Sequence, residues 1–145
     1  SVARFGIVFG SLGAGRDSLQ TAIDYAVSRE QFDQPIAGFQ LTQRKLAEMA
    51  VSLGNGMLLA LHLGRLKDGD GLRPEQVSIG KFHNIRAALE IARESRSILG
   101  GNGITLEYPV IRHMNNLESV FTYEGTHEIH TLALGQALTG IAAYR

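Results

Sequence analysis

Apolar residues recur at helical spacing along almost the whole chain, and this one pattern confines the fold to packed helices. Phe9, Leu12, Leu19, Ile23 and Ala26 step by threes, fours and sevens, marking one face of a first helix over about residues 3–29. Leu46, Met49, Leu53, Met57, Ala60 and Gly64 carry a second stripe, from about Phe39 to Lys67. Asp68-Gly69-Asp70-Gly71 ends it as a turn, and Pro74 suits the first turn of a third helix. That helix presents Phe82, Ile85, Leu89, Ala92 and Leu99 and stops at Gly100-Gly101-Asn102-Gly103. Pro109 opens a shorter helix to about Glu118. A last helix runs from about Thr126 to Ala143, with Ile129, Leu132, Ala133, Ala137 and Ile141 inward. Only Val120 to Tyr123 could equally be a strand. Long helices on short connections predict an all-α antiparallel four-helix bundle, one domain spanning 1–145.

Seventeen glycines against three prolines would suit flexible linkers, but the glycines are dispersed among the periodic apolar residues. Close approach of helix to helix, or of helix to ligand, explains many of them better. Basic and acidic residues balance at 14 each, which argues against a nucleic-acid partner. The absence of cysteine excludes disulfides and thiolate metal sites. No run of about 18 uncharged apolar residues is visible, so no integral membrane association is expected. The first residues lack a signal-peptide layout, and a soluble intracellular location follows as the expectation.

The richest local motif is Tyr123-Glu124-Gly125-Thr126. Glu124 lies between an aromatic residue and a glycine, just before a helix whose N-cap is expected at Thr126. Burial beside Tyr123 favours the neutral acid while the helix N-terminus favours the carboxylate. A carboxylate so poised can act as a general base, or it can simply complement the helix dipole. Gly100 to Gly103 offers exposed amides to a phosphate, or serves only as a helix C-cap. Arg29 could pair with an anionic cofactor group or complete a helix C-terminus, and Arg4 could meet an anion or lie solvated. His127 and His130 are three apart, yet nothing nearby completes a metal site.

Taken together, these segments resemble the C-terminal domain of the acyl-CoA dehydrogenase family. The markers are Arg29 with Gln31-Phe32, Gln40, the run Ile98 to Gly103, Glu107-Tyr108-Pro109-Val110, and Tyr123-Glu124-Gly125-Thr126, in the family's order. Within it, Leu63 to Asp68, Val110 to His113 with Asn116 to Glu118, and Gly125 to His130 resemble the glutaryl-CoA dehydrogenase subfamily.

The resemblance implies that Glu124 removes the α-proton of an acyl-CoA thioester while the β-hydrogen passes as hydride to FAD. The backbone N–H of the glutamate is implied as a donor to the enolate-like charge. Arg29, Phe32, Gln40 and the segment Ser97, Ile98, Leu99, Gly100 and Gly101 are implied to contact FAD, largely across a dimer interface. Thr126 and Glu128 are implied near the flavin nucleotide, and Arg4, Gly125 and Tyr144 along the acyl-CoA path. With glutaryl-CoA as substrate, decarboxylation to crotonyl-CoA would follow. Another short or branched acyl-CoA, or a non-catalytic association module, are the alternatives. Also implied are a homodimer or homotetramer, an electron-transfer flavoprotein as acceptor, and a bacterial cytoplasmic or mitochondrial matrix location. The family's helical N-terminal and middle β domains are not in this sequence, so the chain alone is expected neither to retain FAD nor to turn over. Three departures stand out: Asp33 where glycine is usual, Ser97 where a larger polar residue is common, and Gln136 where arginine is common.

Overall fold

The computed structural model describes residues 2–144 and is a helical bundle. Its helices are α1 (Val2–Ser28), α2 (Gln40–Asp68), α3 (Pro74–Ile98), α4 (Val110–Thr122) and α5 (His127–Thr139). α3 packs against the other four, and α1 also packs against α2 and α4. The pairings fix the directions. Val8 meets Gly80, and Gly15 meets Ala88, so α1 and α3 run parallel. Leu117 of α4 joins Ala88, Leu89 and Ala92, while Val110 joins Ala22 and Leu99, so α4 runs the other way. The expected up-down-up-down bundle is present, with α5 added against one end of α3.

Close approach is real where the three long helices meet. A Cβ on Gly56 would stand 2.7 Å from Leu12 Cδ2, and one on Gly80 would stand 2.5 Å from Leu63 Cδ1. Asn84, fully buried at this joint, donates to the carbonyls of Val8 in α1 and Gly56 in α2, both at 3.1 Å. Other glycines, such as Gly6 and Gly10, face open space, so the packing explanation does not extend to them.

Several sequence expectations need correction. The loop after α1 is a small hairpin, in which β1 (Glu30–Gln31) pairs antiparallel with β2 (Gln34–Pro35). Strands of two residues are too short to leave a periodic trace. The ambiguous stretch from Val120 is helical to Thr122, and only Tyr123 is extended. α5 stops early because Gly140 adopts φ 73, a left-handed C-cap. Ile129, Ala137 and Ile141 are exposed rather than inward, and His130 takes the buried place. Phe9 and Met57, placed on inward stripes by spacing, are also exposed. Finally, α2 does contain an 18-residue window apolar enough to cross a membrane, with mean hydropathy 1.4. It buries Met49, Gly56, Ala60 and Leu63 against the bundle and turns Val51, Leu58 and Leu61 outward.

Candidate active site

Glu124 sits on the four-residue connection between α4 and α5, and both it and Gly125 have positive φ, 56 and 93. Left-handed backbone is costly for a glutamate and persists only where the surroundings impose it. What imposes it lies beneath. Lys81 of α3 is 2% exposed, and its ammonium donates to the carbonyls of Tyr123, at very short range, and of Gly125 at 2.6 Å. Burial lowers the Lys81 pKa, as does the Arg4 guanidinium, while Glu124 pulls it back up.

His130, one turn into α5, is equally buried. Its Nδ1 lies 3.0 Å from Ser78 Oγ, and its Nε2, which has no hydrogen-bond partner among the described residues, faces Gly125. A Cβ at Gly125 would stand 3.0 Å from that nitrogen, a tight contact, and the φ of 93 would itself strain any side chain there, so the position suits glycine. Burial first, then Lys81 and Arg4, lower the His130 pKa, opposed by the nearby Glu124 backbone. The imidazole is therefore held neutral. His127 stacks between Phe82 at 4.0 Å and Phe121 at 4.7 Å, which stiffens the start of α5. Thr126 caps that helix, its hydroxyl accepting from the Ile129 N–H at 3.3 Å. Glu128 follows in the first turn, where its own backbone N–H and the Thr126 side chain favour the carboxylate.

The remaining site candidates gather at the other end of the bundle. Arg29, Ile98, Leu99, Gly100 and Gly101 line a groove of about 430 Å³ together with Tyr25 and Asn102. Asn102 donates to Tyr25 Oη at 3.0 Å, tying the glycine turn to α1. A Cβ on Gly100 or Gly101 would touch nothing, so this wall is open to a ligand. Three candidates lie outside the groove. Phe32 is 87% exposed at the hairpin tip, Gln40 is exposed at the start of α2, and Ser97 accepts from Lys45 at 3.0 Å. Phe32 and Asp33 have φ 53 and 61, as a type I′ turn demands at both central positions. Asp33 thus occupies the turn and does not line the groove. Tyr144 lies beyond α5, half exposed.

The two groups are far apart. Seventeen steps along α3, from Lys81 to Ile98, amount to roughly 25 Å at the helical rise.

The sequence profile of the family described as acyl-CoA dehydrogenase, C-terminal domain, matches residues 1–139. The chain belongs to the acyl-CoA dehydrogenase family. This acyl-CoA dehydrogenase domain is 33% identical over 144 residues to the human mitochondrial short-chain specific acyl-CoA dehydrogenase, covering 99% of the chain and 34% of that enzyme. Its fold superposes on glutaryl-CoA dehydrogenase from Mycobacterium smegmatis with a TM-score of 0.97 at 68% identity, covering 99% of the chain and 37% of that protein. A second structure of the Mycobacterium smegmatis enzyme, in complex with FADH2, matches at 66% identity with the same TM-score and coverage. The domain spans about a third of the length of the relatives it matches.

Sequence reasoning passed over Lys81, Ser78 and His130 as a group. A signal was present: Ser78, Lys81 and Asn84 interrupt the buried register of Val77, Ile85 and Ala88 on α3. Polar residues on an apolar stripe need partners, and these have them.

Proposed function

We propose that this chain supplies the catalytic base and part of the flavin site of an FAD-dependent dehydrogenase acting on a short acyl-CoA, with glutaryl-CoA the favoured substrate. The observation that carries this reading is Glu124, held in a left-handed turn over the buried Lys81 ammonium and beside a glycine that is itself left-handed. The 66–68% identity to glutaryl-CoA dehydrogenase supports the substrate.

In this reading Glu124 accepts the α-proton of the thioester, and the electron pair of that C–H bond spreads into the thioester carbonyl. The Glu124 N–H donates to the oxygen where the negative charge gathers. FAD, when bound, would supply the acceptor for the β-hydrogen as hydride, and loss of proton and hydride together would leave an α,β-double bond. With glutaryl-CoA, loss of carbon dioxide from the distal carboxylate and uptake of a proton then give crotonyl-CoA. The open groove suits the cofactor's anionic portion, with Arg29 pairing to phosphate oxygens and the backbone of Gly100 and Gly101 approaching closely.

The base and the groove lie at opposite ends of α3, roughly 25 Å apart, a span that a flavin shared between two copies suits better than one held by a single copy. Each copy therefore lends its groove to a flavin whose substrate is attacked by its neighbour's Glu124, and the working unit is a homodimer or a larger homo-oligomer. The catalytic polypeptide also includes parts beyond this domain, and reduced flavin is reoxidised by an electron-transfer flavoprotein.

The test is oxidation of glutaryl-CoA and butyryl-CoA by the full-length enzyme with a dye acceptor, wild type against Glu124→Gln. Turnover with glutaryl-CoA should fall by about 100-fold or more in the variant, with flavin retained. Unchanged turnover would remove Glu124 from the mechanism, and a preference for butyryl-CoA would remove the assigned substrate.

A further inference from the structure

We propose that Lys81 is a positioning residue for this reaction: its buried ammonium clamps the two carbonyls that flank Glu124 and so aims the Glu124 N–H at the substrate. The inference rests on Glu124 being the base and adds to it a residue that never touches the substrate.

The geometry of the peptide unit supplies the reason. The Tyr123 carbonyl and the Glu124 N–H belong to one planar trans peptide and point in opposite directions. Lys81 holds that carbonyl from the α3 side, so the N–H must point away from α3, out of the bundle. The second hydrogen bond, to the Gly125 carbonyl at 2.6 Å, fixes the Gly125–Thr126 peptide, one peptide beyond the base. With the peptide before Glu124 and the peptide after Gly125 both pinned to one ammonium, the two-residue segment between them has little freedom to leave its left-handed conformation.

The charge matters besides the geometry. A cation on the carbonyl oxygen polarises the peptide and makes its N–H a stronger donor. Glu124 and Tyr123 are exposed on the surface of this domain, and that donor faces outward to where the thioester oxygen gathers negative charge. Lys81 is 2% exposed, and a buried ammonium is an expensive way to fasten a loop that a neutral donor could also hold. The expense makes sense when the charge is passed through the peptide to the reaction. Arg4 and Glu124 are the charged groups that act on it from α1 and from the loop.

The experiment measures exchange of the substrate's α-hydrogens with D2O in the full-length flavin-loaded enzyme, because exchange reports proton removal without hydride transfer. The variants are Lys81→Met, which removes donor and charge, and Lys81→Gln, which keeps donors and removes the charge. Glu124→Gln is run beside them. Lys81→Met should slow exchange and kcat by about 100-fold, the scale of a misplaced reacting group, while acyl-CoA affinity and KM change little. Lys81→Gln should fall between Lys81→Met and wild type, with its melting temperature close to wild type. If Lys81→Met does not fold, Lys81→Gln decides: slowed exchange at unchanged affinity supports the assignment. Wild-type exchange in the folded variants, or a loss confined to KM, overturns it. Exchange that persists in Glu124→Gln overturns the base assignment instead, whatever the Lys81 variants show.

Discussion

Asn84→Asp should convert a pH-insensitive joint into a pH-sensitive one. The Asn84 amide nitrogen, fully buried, ties α3 to the carbonyls of Val8 and Gly56 at 3.1 Å. Aspartate keeps the shape and removes both N–H donors. The oxygen that replaces the amide nitrogen would face two carbonyls without water and must carry the acid proton, while the other oxygen keeps its place 3.0 Å from His83 Nδ1, so the folded variant will hold the acid protonated. Keeping an aspartic acid neutral at pH 7, against an ordinary pKa of about 3.9, costs about 4 kcal/mol at about 1.4 kcal/mol per pH unit. The acid hydroxyl can still donate to one carbonyl, so roughly 1 kcal/mol for one lost hydrogen bond is added.

The variant should therefore be less stable than wild type by about 5 kcal/mol at pH 7 and by about 1 kcal/mol near pH 4. The sign follows from linkage: the folded variant keeps a proton that the unfolded chain releases over this range, so stability falls as pH rises. Urea unfolding followed by circular dichroism at several pH values gives both slope and offset. A difference that does not change with pH would show that the side chain reaches water or finds other donors. The role assigned to Asn84 would then be wrong.

Three further outcomes are expected. Gly103→Ala would place a Cβ 2.2 Å from the Arg96 carbonyl oxygen, and since backbone must yield, a stability loss of about 1–3 kcal/mol should appear in urea unfolding. In the full-length enzyme the same change should lower the ratio of flavin to protein after gel filtration. His130 is held neutral, so the unfolded chain binds an extra proton below about pH 6.5 and stability should fall there by up to about 1.4 kcal/mol per pH unit. His130→Gln should abolish that component when the two proteins are unfolded side by side at pH 7 and pH 5. Phe32→Asn should raise stability by about 1 kcal/mol in thermal unfolding, because asparagine tolerates φ 53 and the exposed ring buries little.

The bundle was legible because long helices repeat their pattern many times. The stripes over Leu12, Leu19 and Ala26 and over Ile85, Leu89 and Ala92 name core residues that the structure buries. Where an element is short or buries little, periodicity misleads. α5 turns Ile129 and Ala137 outward and buries His130, because its contact is with α3 around Ser78 rather than with an apolar groove. Thr126 could be recognised as a cap from its type and place alone, and the structure gives it that bond.

Glu124 stood out through its neighbours in sequence. Lys81 and His130 did not, because their partners are 42 to 52 residues away and chain proximity says nothing of them. Motifs named Arg29 and Gly100 together, but only the fold shows that they share a wall while Ser97 turns to Lys45. The turn at Phe32 and Asp33 was harder to see, since aspartate is at home in a type I′ turn but phenylalanine does not advertise one.

The span of roughly 25 Å between Lys81 and Ile98 has a genetic consequence. On the proposed reading, a lesion at Glu124 and a lesion at Arg29 damage different catalytic centres of the same oligomer. Two inactive alleles, one carrying Glu124→Gln and the other Arg29→Ala, would then complement when co-expressed. In a mixed pair, one centre collects both lesions and the other is assembled entirely from intact parts.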